Sequence, residues 1–317
     1  MDLLFVVMGL ALLVGAGDAL VRGAVALSLR LGIPALIVSL TVVAFGTSAP
    51  ELLVGIQAAL AGAAGIAFGN VVGSNIANVL LVLGVPAMIS AIEPTAGEGR
   101  RDWLFMMGAS VVFVALCFLG PLVWWHGVIL LAGLSAMLWT AYVAARNGRD
   151  AALAAELQEI EEADPGIADW KLGLLLGAGL VGLPIGAHLL IEGARGIAST
   201  WGVSEAAIGL TLVAVGTSLP ELVTSVMAAV RRHAEIAIGN VIGSNVFNLL
   251  GIMGVVSFLG PLDVPPAFLT LDLWLMLATS AMLWACVYPG WRLDRRMGAG
   301  LLGLYAVYLL IVLVPRM

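Results

Sequence analysis

The sequence is poor in charge, cysteine and histidine. It has 14 basic and 20 acidic residues among 317, with two cysteines and three histidines, whereas 62% of the residues are hydrophobic. So few charges exclude an ordinary soluble globular domain, in which about 25% of residues are charged. The net charge of -6 supplies no basic patch for nucleic acid. Cys117 and Cys286 lie in apolar stretches and predict neither a disulfide framework nor a metal site.

Long apolar stretches make up most of the chain. The mean hydropathy is +1.10, and a stretch of about 20 apolar residues crosses the roughly 30 Å hydrocarbon core as a helix. We therefore predict an all-α integral membrane protein embedded in a lipid bilayer. Its ten predicted transmembrane helices cover residues 2–29, 33–60, 66–90, 102–119, 123–145, 170–199, 203–229, 235–259, 268–288 and 298–315.

The basic residues predict the orientation, because cytoplasmic loops collect Lys and Arg. If the N-terminus lies outside, every basic residue except Arg195 and Arg316 falls on the cytoplasmic side. We therefore predict both termini outside and the acidic segment 146–169 inside. That segment lacks the Asp-rich, glycine-turned loop of an EF-hand, which favours a solvated linker over a calcium sensor. Asp18, near the end of the first helix, is expected at the interface, where it could pair with Arg22.

An internal repeat divides the chain into two halves. TVVAFGTSAPELLVG at 41–55 aligns with TLVAVGTSLPELVTS at 211–225, and GNVVGSNIAN at 69–78 aligns with GNVIGSNVFN at 239–248, with one constant offset. Each half holds five predicted helices, an odd number, so the second half enters the membrane in the opposite sense. Such inverted repeats are typical of alternating-access transporters, which favours a transporter over a channel or a membrane enzyme. The predicted units are a first five-helix repeat at 1–145, a cytoplasmic linker at 146–169 and a second five-helix repeat at 170–317.

The segments GTSAPE and GTSLPE each place a glutamate beside a proline in an apolar run. Pro50 cannot donate a hydrogen bond to the carbonyl of Gly46, so that turn should open. Free carbonyls are tolerated at membrane depth only where they line a cavity or find a partner such as a cation. Glu51 shares a helix face with the hydroxyls three and four residues before it. An isolated carboxylate at mid-membrane costs several kcal/mol, so Glu51 and its counterpart Glu221 predict an ion or proton site.

Stripes of polar side chains follow in the next helix of each half. They recur every four residues, as Asn70, Ser74 and Asn78 in the first half and as Asn240, Ser244 and Asn248 in the second. Their oxygens are hard ligands that suit calcium, sodium or magnesium and suit zinc or copper poorly. The glycines between them predict close helix packing. Because an empty site would leave two glutamates unpaired in low dielectric, we expect obligatory exchange of one cargo for another, which is antiport.

The paired GTSxPE and GNxxGSNxxN segments closely resemble the alpha-1 and alpha-2 repeats of the sodium/calcium exchanger family, within the calcium/cation antiporter superfamily. The alpha-1 motif would cover 41–84 and the alpha-2 motif 211–254. The resemblance, to the prokaryotic type, implies a ten-helix inverted repeat whose first and sixth helices slide to alternate access. It also implies a bacterial or archaeal plasma membrane, calcium and sodium as transported ions, and no cofactor.

Carried over residue by residue, the resemblance implies that Glu51 and Glu221 are carboxylates shared by calcium and sodium. It implies hydroxyl or backbone oxygens around them from Thr47, Ser48, Thr217, Ser218, Ser74 and Ser244, carbonyls from Ala44 and Ala214, and amides from Asn78 and Asn248. Some relatives, including potassium-dependent exchangers, have an acid where this chain has Asn248. This departure argues against potassium dependence.

Two alternatives remain open from the sequence, and a third fails on its residues. In a proton-coupled cation exchanger, the two glutamates would take up protons when calcium leaves. A cation channel would carry flux that needs no counter-ion. An intramembrane serine hydrolase would need a base, and no His or Asp lies in register with Ser48 or Ser218. The residues therefore favour a transporter and not an enzyme.

Overall fold

The computed structural model describes residues 2–93, 99–147, 167–200 and 214–313. Most of the acidic linker predicted at 146–169 lies outside these ranges, as does the beginning of the seventh predicted helix. In the described part of the first half, the helices are α1 Asp2–Leu31, α2 Ala35–Thr47, α3 Ala49–Leu60, α4 Ala64–Ile89, α5 Arg100–Phe118 and α6 Trp124–Asn147. In the described part of the second half, the helices are α7 Asp169–Thr200, α8 Ala214–Thr217, α9 Leu219–Val230, α10 Ala234–Val256, α11 Phe268–Val287 and α12 Arg295–Leu313.

These helices make the protein an integral membrane protein. Eight helices within the described ranges are long and apolar enough to cross a bilayer, and the bent pair α2 and α3 would make a ninth span. Pairing of β type in the same ranges consists of two isolated bridges, Ile92 with Leu293 and Leu122 with Leu262. The prediction of an all-helical membrane protein is therefore confirmed.

The two long helices α1 and α7 run antiparallel in close contact. A Cβ atom added to Gly193 would lie 2.5 Å from the backbone oxygen of Asp2, and one added to Gly179 would lie 2.5 Å from the side chain of Leu20. Glycine at these positions therefore lets the two backbones approach, as is common between membrane helices. The long contact brings the beginning of the first half against the beginning of the second.

The helices α4 and α10 form the centre of the molecule. In their most apolar segments, 72% of the residues of α4 and 94% of those of α10 are buried, compared with 33% in α1 and 17% in α12. A Cβ atom at Gly243 would lie 2.6 Å from the backbone oxygen of Leu40, so α10 packs tightly on α2. The prediction that this glycine serves close packing is confirmed. Polar groups on α4 and α10 are thereby removed from lipid.

An ion pair connects α1 to the end of α9. Arg231 Nε donates to Asp18 Oδ1 at 2.6 Å, and both side chains are about three-quarters buried. The expected partner Arg22 lies farther from the Asp18 carboxylate, at 3.9 Å. Sequence reasoning named Arg22 as a possible partner of Asp18 and missed the nearer one, Arg231, which belongs to the other half of the chain.

Candidate cation site

Each half contains a helix that is interrupted immediately before a glutamate. Ser48 has φ −83° and ψ 8° between α2 and α3, whose axes differ by 45°. Ser218 has φ −84° and ψ 3° between α8 and α9. The break predicted from the proline is therefore confirmed in the first half and recurs in the second. Glu51 and Glu221 lie in the first turns of α3 and α9, where the positive end of the helix dipole favours a carboxylate.

Both glutamates are buried, although each would carry charge when ionised. The exposed fraction is 1% for Glu51 and 1% for Glu221. Unpaired charges at such burial cost several kcal/mol each, so the carboxylates need compensating groups. The hydroxyl residues beside them, which the sequence predicted as ligands, are buried as well: Thr47, Ser48, Thr217 and Ser218.

The broken turn of the first half contacts the glutamate of the second. Ser48 Oγ donates a hydrogen bond to Glu221 Oε1 at 3.0 Å. Thr47 Oγ1 lies 3.3 Å from Asn240 Oδ1 and 3.3 Å from the carbonyl of Ala44. The structure therefore brings the polar segments of both halves into one cluster, as their symmetric positions in the sequence suggested.

Asparagines on α4 and α10 hold the backbone of the glutamates. Asn70 Nδ2 donates to the carbonyl of Glu51 at 3.0 Å, and Asn240 Nδ2 donates to the carbonyl of Glu221 at 3.3 Å. The sequence placed both asparagines in the oxygen stripes. In the structure their amide groups donate to backbone oxygens in the first turns of α3 and α9, directly after the helix breaks.

Several buried oxygens in this cluster have no hydrogen-bond partner within the described part of the chain. An unsatisfied buried polar group costs about 1–3 kcal/mol, and more if charged, so such a group is suited to a ligand that supplies positive charge. These atoms are Glu51 Oε2, Glu221 Oε2, Ser218 Oγ, Ser244 Oγ, Asn78 Oδ1 and Asn248 Oδ1.

The chemistry of this donor set is that of a hard-cation site. Carboxylate, hydroxyl and amide oxygens are the ligands of calcium and related ions. Among the described residues, no three His, Cys, Asp or Glu side chains lie close enough together to hold a metal, as a nitrogen or sulfur site for zinc or copper would require. Two carboxylates from separate halves therefore supply the charge, and neutral oxygens supply the remaining coordination.

The other predicted ligands lie on the helices that surround the two breaks. Ser74, Ser244, Asn78 and Asn248 are buried on α4 and α10. Ala44 is also buried, and its carbonyl oxygen accepts a hydrogen bond from the backbone N–H of Ser48 at 3.1 Å. Ala214 is the first residue of α8.

Sequence reasoning missed two asparagines between the halves. Asn78 Nδ2 donates to Asn245 Oδ1 at 3.0 Å, and Asn245 Nδ2 donates to the carbonyl of Asn75 at 3.4 Å. Asn75 and Asn245 occupy equivalent positions of the repeated GSN segments. That duplication was the available signal, but each residue lies one position beyond the predicted oxygen stripe and faces a different neighbour.

Comparison with known proteins extends the likeness over nearly the whole chain. A family model described as "Sodium/calcium exchanger protein" matches residues 1–143 and 171–314. Inner membrane protein YrbG of Escherichia coli (strain K12) is 33% identical over 300 residues, which cover 93% of this chain and 90% of that protein. Sodium/calcium exchanger MaX1 of Methanosarcina acetivorans is 32% identical over 345 residues, with 98% of each chain covered.

A solved structure shows a similar fold. The sodium-calcium exchanger NCX_Mj, soaked with zero Na⁺ and Ca²⁺, superimposes with a TM-score of 0.84 at 30% sequence identity. The superposition covers 98% of each chain. The similarity therefore includes both halves and the helices that carry the buried glutamates.

Proposed function

The chain belongs to the sodium/calcium exchanger protein family, and from this premise we propose that it exchanges calcium for sodium across the membrane by alternating access. The observation that carries the proposal is the pair of buried glutamates, one from each half, whose broken turns meet through the hydrogen bond from Ser48 to Glu221. Two ionised carboxylates carry about two negative charges, which one calcium ion or two sodium ions would neutralise. If the site changed conformation while empty, that charge would be left unpaired in an apolar environment. Exchange of one bound cation for another is therefore favoured over release of a cation followed by return of the empty site.

We assign the ion-binding role to the buried oxygens around the two helix breaks. Glu51 and Glu221 would be shared by calcium and sodium because they carry the charge. Neutral coordination would come from Thr47, Ser48, Thr217, Ser218, Ser74, Ser244, Asn78 and Asn248 and from the carbonyls of Ala44 and Ala214. Buried polar atoms of Ser218, Ser244 and Asn248 that have no hydrogen-bond partner among the described residues support this assignment.

Transport is proposed to be independent of potassium. Position 248 is Asn, so the centre of the site has two carboxylates and no third acid there. A third carboxylate would require a further positive charge to balance it in low dielectric. With Asn248 neutral, a calcium ion or two sodium ions suffice.

The proposed architecture is ten transmembrane helices in two inverted five-helix repeats. The antiparallel contact of α1 and α7, which occupy equivalent positions in the two halves, supports the inversion. The repeats would cover 1–145 and 170–317, with the segment 146–169 as a cytoplasmic linker and both termini outside. In this arrangement α1 and α7 would slide against the central helices. The likeness to an inner membrane protein of Escherichia coli supports a bacterial or archaeal plasma membrane as the location.

Flux of radioactive calcium into proteoliposomes tests the proposal. The purified full chain would be reconstituted into vesicles loaded with sodium and diluted into sodium-free medium, with potassium-loaded vesicles and vesicles with a pH gradient as controls. We expect uptake that requires internal sodium and stops when a sodium ionophore collapses the gradient. Potassium added to either side should leave the rate unchanged.

Three other outcomes would overturn the proposal in different ways. Uptake driven only by the pH gradient would make the protein a proton-coupled exchanger. Calcium flux without any counter-ion would make it a channel. A wild-type rate in Glu51→Gln would show that the site lies elsewhere in the chain.

A further inference from the structure

We propose that Asn245 is a positioning residue that turns the side-chain carbonyl of Asn78 toward the transported cation. The inference rests on the proposed function, because it assigns a role at the same ion site. Asn245 itself is not proposed to touch the ion. Its side-chain amide donates to the carbonyl of Asn75 and to the sulfur of Met106, and it accepts a hydrogen bond from Asn78, the side chain that does.

A fixed direction of hydrogen bonding passes through Asn245. Its Nδ2 donates to the backbone carbonyl of Asn75, which can only accept, at 3.4 Å. Its Oδ1 is thereby turned to the other side, where it accepts a hydrogen bond from Asn78 Nδ2 at 3.0 Å. The same Nδ2 also lies 3.8 Å from the sulfur of Met106, which likewise can only accept. Since an amide has a donor end and an acceptor end, these two acceptors determine the orientation of both side chains.

The remaining atom of Asn78 is the one that a cation needs. Its Oδ1 is buried and has no hydrogen-bond partner among the described residues. Asn78 lies two helical turns after Asn70, which donates to the carbonyl of Glu51, so both asparagines share the face of α4 that contacts the ion site. With its Nδ2 held by Asn245, Asn78 presents an oxygen there. A reversed amide would present N–H groups, which repel a cation.

The equivalent residues of the other half lack this arrangement. Asn75 Nδ2 lies 3.9 Å from the sulfur of Met276, and Asn75 Oδ1 has no partner in the described part. The Nδ2 and Oδ1 atoms of Asn248 also have no hydrogen-bond partner among the described residues. A π-helical turn, Phe247–Ile252, includes Asn248, whereas Asn78 lies in the regular α-helical part of α4. The orientation of the central amide is therefore fixed in one half only.

The substitution Asn245→Leu tests the proposal, with Asn75→Leu as the matched control. Groups that hydrogen-bond to metal ligands typically contribute 10–100-fold to metal affinity. For Asn245→Leu we expect the calcium concentration for half-maximal sodium-driven uptake to rise about tenfold or more. Asn75→Leu retains the backbone carbonyl, so it should shift that concentration much less. Asn245→Ala removes the same acceptor without a bulky side chain and serves if the leucine variant fails to fold.

The background Asn78→Asp separates positioning from a merely structural role. A carboxylate has oxygen at both ends and needs no orientation. Adding Asn245→Leu to Asn78→Asp should therefore cause no further loss of calcium affinity. The same loss in both backgrounds, or equal losses for Asn245→Leu and Asn75→Leu, would overturn the proposal.

Calorimetric calcium binding to the detergent-solubilised full chain gives the same comparison without flux. A wild-type chain that binds calcium but does not exchange it for sodium would overturn the proposed function alone. The ratio of dissociation constants between wild type and Asn245→Leu would then still decide the role of Asn245. Equal dissociation constants for wild type and Asn245→Leu would overturn the inference even if sodium-driven exchange were established.

Discussion

The two halves have nearly the same polar residues but different hydrogen bonds. Asn70 and Asn240 make equivalent bonds to the carbonyls of Glu51 and Glu221. The hydroxyl of Ser48 crosses to Glu221, whereas that of its counterpart Ser218 has no partner within the described ranges. Both halves therefore share the bond from an asparagine to the glutamate carbonyl, and they differ in the bonds around the proposed ion ligands.

This difference separates the supporting framework from the part that changes. An antiporter needs two states that open to opposite sides, and inverted repeats exchange conformations between them. A structure with identical hydrogen bonds in both halves would represent neither state. If the chain alternates as proposed, the unequal bonds of Ser48 and Ser218 would belong to one of the two states, and the bonds of Asn70 and Asn240 to the glutamate carbonyls would persist in both.

The largest predicted effect tests whether the halves contribute equally to the ion site. Glu51→Gln and Glu221→Gln should each reduce sodium-driven calcium uptake by about 100-fold or more. Each variant removes a carboxylate that pairs with the bound cation, and losing one partner of a buried pair of opposite charges costs about 3–5 kcal/mol. Radioactive calcium uptake measures both. Glu93→Gln is the control, since Glu93 is an exposed acid paired with Arg292. A large loss of uptake in only one of these two glutamate variants would show that the halves do not contribute equally to the ion site.

The next effect tests the bond that the halves do not share. Ser48→Ala removes the hydroxyl that donates to Glu221, and a hydrogen bond to a charged group contributes about 1.5–3 kcal/mol. Ser218→Ala removes a hydroxyl without a partner among the described residues. In thermal unfolding of the ion-free protein in detergent, Ser48→Ala should therefore lower the melting temperature more. Equal shifts would show that the asymmetry does not contribute to stability.

A third pair of variants compares the two central amides. In Asn78→Asp, a carboxylate oxygen would face Asn245 Oδ1, so the hydrogen bond seen at 3.0 Å is replaced by repulsion. In Asn248→Asp, no bond to a described residue is lost. We expect Asn78→Asp to be less stable by about 1–3 kcal/mol, measured as the difference in unfolding between the two variants. The opposite order would indicate that Asn248 is the constrained amide.

The smallest effect concerns a contact that the repeat does not duplicate. The positions equivalent to Asp18 and Arg231 are His188 and Ala61, so the ion pair has no counterpart in the sequence. Arg231→Gln should reduce stability by about 1 kcal/mol or less, because the pair is partly exposed. Arg292→Gln, in a pair that is about two-thirds exposed, should leave the melting temperature unchanged. A loss above that of Ser48→Ala would show that this contact, and not the ion site, limits stability.

Sequence reasoning succeeded where the cause is local. Pro50 cannot donate a backbone hydrogen bond, and the helix ends beside it. The burial of Glu51 and Glu221 followed from two carboxylates in apolar runs, because such groups are kept away from lipid. The helix boundaries followed from hydropathy, and nine of the ten predicted spans coincide with described helices, while 203–229 lies partly outside the described residues.

The unpredicted features depend on how distant helices cross. Asn245 follows Ser244, so a stripe with a period of four residues leaves it out, and only the packing of α10 against α4 brings it to Asn78. Arg231 reaches Asp18 because α9 ends against α1. The sequence could supply only local candidates such as Arg22, since i,i+4 spacing is visible without a fold. The π-helical turn Phe247–Ile252 was not predicted either, because hydropathy does not distinguish a π-helical turn from an α-helical one.

The hydrogen bond between Ser48 and Glu221 also bears on ancestry. A protein made of one repeat alone would carry one glutamate and could complete this site only by pairing with a second copy of itself. In such a pair, the contact now made within one chain would join two subunits, and both subunits would have the same residue at every position. Once the gene had been duplicated, the two copies could diverge, and Ala77 and Phe247 now differ, with Phe247 beginning the π-helical turn at this position of the second half.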